Sequence, residues 1–148
     1  LEILWEQSDE DLAGPRDPDP SFLAYSECPT YREAIKSPKT VSRTLIDEHR
    51  VPRFCMGSVE TTGPDAVAPH RHPMLEQFFF GLPGNDCAVS ADAAKVPFGE
   101  FELLHIPLGS NHGVTVEAGR SLHYLWVDCF MDRDGMRWIT EQHRPENP

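Results

Sequence analysis

The sequence predicts an all-β barrel or sandwich that carries a metal-binding site. Three observations point there. From Lys39 onward, short segments rich in β-branched and aromatic residues recur. Turns containing Gly and Pro separate them. Two histidines stand two residues apart, with a carboxylate close behind. A chain of 148 residues is the size of one domain and buries a core without disulfide staples.

Residues 1–38 read as an N-terminal extension with a short helix, 39–132 as the barrel and 133–148 as a C-terminal tail. In the extension, Gly14-Pro15-Arg16-Asp17-Pro18-Asp19-Pro20 breaks both helix and strand. Leu4, Trp5, Phe22 and Tyr25 are the apolar residues expected to pin this arm down. Thr30-Tyr31-Arg32-Glu33 has the form of a capping box, so the one short helix is expected over 30–37, ended by Pro38. Strands are expected over 40–46, 53–61, 69–72, 76–80, 87–90, 102–106, 113–116 and 122–130. Turns are expected at 62–65, 82–85, 97–99, 108–111 and 118–119. Residues 78–80, three phenylalanines, read as core, and 143–148 as a frayed end.

Asp and Glu number 24 against 13 Lys and Arg, a formal charge of −11. Such a surface repels phosphate, so nucleic acid and anionic membranes are excluded as partners, which leaves a small molecule. No apolar run is long enough to span a bilayer, and the acidic stretch LEILWEQSDEDL does not read as a signal peptide. Cys28, Cys55, Cys87 and Cys129 form no CxxC pair. Buried thiols in a reducing compartment are the expectation, hence a cytoplasmic location.

The chemistry gathers in two segments. In His70-Arg71-His72-Pro73-Met74-Leu75-Glu76, residues two apart on a strand share a face, so His70 and His72 present two imidazoles to one point. Glu76 adds an anionic oxygen, although Pro73 argues for a turn before it. In Pro107-Leu108-Gly109-Ser110-Asn111-His112, a tight turn delivers another histidine at the start of a strand. Arg43, Arg53 and Arg71 are candidates to grip a substrate carboxylate, with Arg71 alternating away from the histidines. The strand from His123 has two faces, one with His123 and Leu125, the other with Tyr124, Trp126 and Asp128. If the first faces inward, His123 is a candidate acid–base group.

These segments resemble the cupin family. Its first motif is Gly, five residues, His-x-His, three or four residues, Glu, six residues, Gly. Here six residues separate Gly63 from His70, three separate His72 from Glu76, and seven separate Glu76 from Gly84. Its second motif is Gly, five residues, Pro-x-Gly, two residues, His, three residues, Asn. Here Pro107-Leu108-Gly109 and His112 match, while Phe101 replaces the leading Gly and Val116 the closing Asn.

The resemblance implies a double-stranded β-helix, the jelly-roll-like cupin barrel, holding one divalent transition metal ion on His70, His72, Glu76 and His112. Iron is favoured, with manganese, nickel, zinc, cobalt and copper as alternatives. It implies a metal-dependent enzyme on a small organic molecule, narrowly a dioxygenase-like oxidoreductase, with Glu76 as ligand and proton acceptor. The alternatives are a non-redox isomerase, lyase or decarboxylase, a non-catalytic sensor or carrier, and a metal-free barrel using His and Tyr. A homodimer through the barrel sheets is the implied assembly.

Overall fold

The structure is a computed structural model that describes residues 8–9, 22–139 and 141. Ten strands follow in chain order: β1 (Thr30–Tyr31), β2 (Val41–Val51), β3 (Phe54–Thr62), β4 (Asp65–His70), β5 (Leu75–Gly81), β6 (Asp86–Ala91), β7 (Ala94–Gly99), β8 (Leu103–Ile106), β9 (His112–Val116) and β10 (Ser121–Phe130). A helix, α1 (Arg133–Trp138), follows them. The strands form two antiparallel sheets, ordered β1-β2-β3-β10-β5-β8 and β4-β9-β6-β7. The expected all-β barrel is therefore present. Its core lies between the sheets and includes Val59, Phe79, Val89, Phe98, Leu122, Tyr124, Trp126 and Phe130.

The period of two along each strand decides which side chains enter. On β10, Leu122, Tyr124, Trp126 and Asp128 are buried while Ser121, His123, Leu125 and Val127 are only half covered. On β5, Leu75, Gln77 and Phe79 point inward. The three phenylalanines thus split: Phe79 is 3% exposed, Phe80 is 36% exposed, and Phe78 stacks on His105 at 5.0 Å.

Three expectations are corrected. Residues 30–37 form no helix. Thr30 and Tyr31 pair with Arg43 and Ser42 of β2, and Lys36 bridges Val67. A capping box needs the Glu33 carboxylate on the Thr30 N–H; instead it is ion-paired to Lys36. Residues 97–99 are not a turn but the end of β7. A proline fits there because β7 is the edge of its sheet, pairing with β6 alone. The tail contains α1, capped by Asp132 Oδ1, which accepts from the Gly135 N–H at 2.9 Å. Leu4, Trp5 and residues 143–148 lie outside the described residues.

Asn85, in the expected turn, is 3% exposed and ties β7 to β10. Its Nδ2 donates to the Phe98 and Gly99 carbonyls at 2.9 and 3.3 Å, and its Oδ1 accepts from the His123 N–H at 2.9 Å. Asn85→Ala strands these buried backbone groups. It is expected to cost about 2–3 kcal/mol in urea unfolding, well above the cost of an exposed polar truncation.

Candidate metal centre

The barrel brings three of the predicted ligands together. His70 ends β4 and His112 begins β9, directly paired across the ladder. Their ring centroids lie 4.4 Å apart, and His72 stands 4.8 and 5.1 Å from them. One donor atom from each ring lies within 4.8 Å of the other two. Gly113 permits this approach of β9 to β4: a Cβ there would meet the Val67 carbonyl oxygen at 2.9 Å.

The rings are aimed by the backbone. His70 Nδ1 faces the Ala68 carbonyl at 2.9 Å, and His112 Nδ1 faces the Ser110 carbonyl at 3.0 Å. A carbonyl only accepts, so both Nδ1 atoms carry the proton. Each Nε2 then keeps a lone pair, the form in which histidine binds a metal.

Glu76 is not brought to the histidines. It lies on the opposite face of β5, where its Oε2 accepts from His105 Nε2 at 2.8 Å and the Leu108 N–H at 3.0 Å. Pro73 and Met74 form a turn before β5, which resets the alternation counted from His70. The inward place belongs to Gln77, 5% exposed. Gln77 Nε2 donates to Asp128 Oδ1 at 2.7 Å, which turns Oε1 the other way. Gln77 Oε1 is buried without a hydrogen-bond partner. An orphaned buried oxygen costs free energy unless something ligates it. Three gathered imidazoles, two of them aimed by backbone carbonyls, and an unsatisfied amide oxygen in the same cavity fit a divalent ion. The sequence held the signal, because the four-residue form of the family spacing lands on Gln77.

Asp128, 2% exposed, also receives the Cys55 thiol at 3.9 Å on Oδ2. Donors on both oxygens suit an ionised carboxylate. Burial, aided by neighbouring groups including Cys87 and Tyr31, pushes the Tyr124 phenol well above its ordinary pKa, so it stays neutral. Burial likewise raises the Cys87 and Cys129 thiols to about 11, which makes them poor nucleophiles.

The three histidines open into a cavity between the two sheets. Tyr31, Phe79, Tyr124 and Trp126 give it apolar walls, and Glu33, Lys36 and Asp128 give it charges. Other sequence candidates lie elsewhere. His123 faces outward, 3.1 Å from the Tyr25 hydroxyl and 3.9 Å from Glu60, so the Tyr124 face of β10 lines the cavity instead. Arg43 pairs with Glu60, Arg53 reaches the Phe130 and Met131 carbonyls, and Arg71 is exposed. Among the described residues, Lys36 is the basic side chain in the wall, which sequence reading missed because it sat in an expected helix.

Asp65 fastens residues 37–40 to β4. Burial opposes its ionisation, but hydrogen bonds from Thr61 Oγ1 (2.6 Å), the Ala66 N–H (2.9 Å), Ser37 Oγ (2.9 Å) and Thr40 Oγ1 (3.0 Å) outweigh it. Its carboxyl is therefore held below the ordinary range. A depressed carboxyl adds stability above its unfolded pKa and loses it as pH falls through the folded one. Asp65→Asn is expected to be less stable than wild type at neutral pH, with the gap closing below about pH 4 in urea unfolding.

No protein-family model and no curated protein matches the sequence. Solved structures do. A polyketide cyclase from Streptomyces resistomycificus is 20% identical, with a TM-score of 0.66 over 82% of this chain and 93% of its own. A predicted oxalate decarboxylase from Thermotoga maritima is 12% identical, TM-score 0.62, over 75% of this chain and 100% of its own. A cupin-2 domain protein from Rhodospirillum rubrum is 18% identical, TM-score 0.62, over 80% and 79%. Likeness at this identity shows the fold.

Proposed function

We propose, for a chain that has the cupin fold, that it is a metal-dependent enzyme on a small organic molecule, acting by non-redox Lewis-acid chemistry. The observation that carries this is Gln77 in the inward place expected for a glutamate. Gln77 with His70, His72 and His112 makes an all-neutral donor set. An ion on neutral donors keeps its full divalent charge, which suits Lewis-acid chemistry, and we favour zinc, nickel or cobalt before iron. This reading sets a lyase, isomerase or cyclase before the expected dioxygenase.

The bound ion would polarise a substrate oxygen and lower its proton affinity. Tyr31, Phe79, Tyr124 and Trp126 would hold the apolar part of the substrate and exclude water. Asp128 would hold Gln77 in its orientation through the 2.7 Å bond. No helix among the described residues is long and apolar enough to cross a membrane. A cytoplasmic location accords with the four buried free thiols. A homodimer belongs to the same reading, since Phe80 and Leu103 pair on the outward sheet face at 36% and 46% exposure.

The test sets neighbouring residues against each other. Gln77→Ala is expected to weaken zinc binding roughly 10-fold or more, whereas Glu76→Ala leaves it near wild type. Competition with a chromophoric chelator measures both. The reverse order would return Glu76 to the ligand set and reopen the oxygenase reading.

A further inference from the structure

Residues 30–40 precede the barrel motif, yet they build one wall of the cavity, which Tyr31, Glu33, Ile35 and Lys36 line. The segment is held from two sides. β1 pairs with β2, while the Ala68 N–H donates to the Ile35 carbonyl at 2.8 Å and Ser37 reaches Asp65. β4 therefore supports both this wall and His70.

In the wall, Lys36 Nζ is ion-paired to Glu33, donates to Ser42 Oγ at 3.0 Å and lies 5.4 Å from the Tyr31 ring centroid. The two side chains are 9% and 3% exposed. Burying such a pair stabilises a fold little, because desolvation offsets the attraction. Its position beside the histidine cluster offers another role.

The charges indicate which. With carboxylates ionised, Asp128 and Glu33 against Lys36 leave the wall with one net negative charge. A divalent ion on neutral donors leaves the cavity with one net positive charge, weakly screened by water. One monoanion balances it. We infer that Lys36 is a second substrate anchor, donating to an anionic oxygen of a molecule whose other end meets the ion. The substrate class is then a small compound with a single acidic oxygen: a carboxylate, or an enol or phenol ionised on binding. Glu33 orients Lys36 and tempers its charge. The inference rests on the metal reading above.

A merely structural pair and a substrate anchor differ in sign. Neutralising Lys36 removes attraction for an anion, whereas neutralising Glu33 removes repulsion. The experiment titrates cobalt(II)-loaded protein with imidazole-4-acetate, whose ring nitrogen can meet the ion while its carboxylate reaches outward, and with neutral imidazole, following the visible cobalt spectrum. Lys36→Met is expected to weaken imidazole-4-acetate about 10-fold or more, with imidazole affinity within about twofold. Glu33→Gln is expected to tighten imidazole-4-acetate roughly threefold, and Lys36→Arg to retain most of the affinity. If Lys36→Met alone does not fold, the double variant Lys36→Met/Glu33→Gln removes both charges together and is expected to bind the anion about threefold more weakly than wild type. Equal anion affinity in wild type and these variants, or shifts of the same sign for both single variants, would overturn the anchor alone. Failure of wild type to take up cobalt would overturn the metal reading and the anchor with it.

Discussion

Replacing His112 with alanine is expected to reduce bound zinc from about one equivalent to less than about a tenth. His112 is 2% exposed and is the ring nearest to His70, with Phe79 6.1 Å behind it. Its Nδ1 is already committed to the Ser110 carbonyl, so the lone pair of the other nitrogen can point nowhere but inward. Without it, two imidazoles and a neutral amide remain, a weak set for any divalent ion. The change also has a thermodynamic signature. An ion that binds only the native state stabilises it by about 2.7 kcal/mol at a hundred times its Kd. Wild type should therefore melt higher with zinc than with chelator, while His112→Ala melts alike in both. A variant that still takes up a full equivalent would mean that the ion sits elsewhere.

Phe130→Ala is expected to have the largest effect on stability, about 3–5 kcal/mol, or roughly 10 °C or more in Tm. Phe130 is fully buried at the end of β10, opposite Leu75 of β5. It also meets α1: a Cβ built on Gly135 would lie 3.1 Å from the ring and 2.9 Å from Met74. The cavity left by truncation would thus open at a seam between sheet and helix. Phe80→Ala, on the outward face, is expected to cost about 1 kcal/mol or less. Unfolding of the metal-free protein compares the two without a contribution from the ion. A larger loss at Phe80 would reverse the inside and outside of β5.

Much of this was legible in the sequence, and the parts that were not share a cause. Three of the four expected ligands carry their signal locally, His70 and His72 by their two-residue spacing although β4 ends at His70 and the strand expected over 69–72 stops there, and His112 by the Pro-Gly turn before it. Glu76 did not, because Pro73 and Met74 break the strand and parity no longer propagates across the turn. Only the ladder with β10, which sets Gln77 opposite Asp128, decides which residue of the pair enters. The face of β10 was undecidable for the same reason: both faces carry large residues, and burial is fixed by the opposing sheet. The helix expected over 30–37 lost to pairing with strands distant in sequence, which no local propensity records. Lys36 and Glu33 were thereby hidden as cavity residues. Pro97 misled in the other direction, since the edge position of β7 that tolerates it is a property of the whole sheet.

The central claim is that His70, His72, His112 and Gln77 together hold one divalent ion. Anomalous diffraction from crystals of the cobalt-loaded protein tests it most directly. The account predicts a single strong peak among the three imidazoles with the Gln77 amide oxygen in its coordination sphere and Glu76 still on His105. A peak coordinated by the Glu76 carboxylate, or no peak at the histidines in a fully folded, cobalt-soaked crystal, would contradict it.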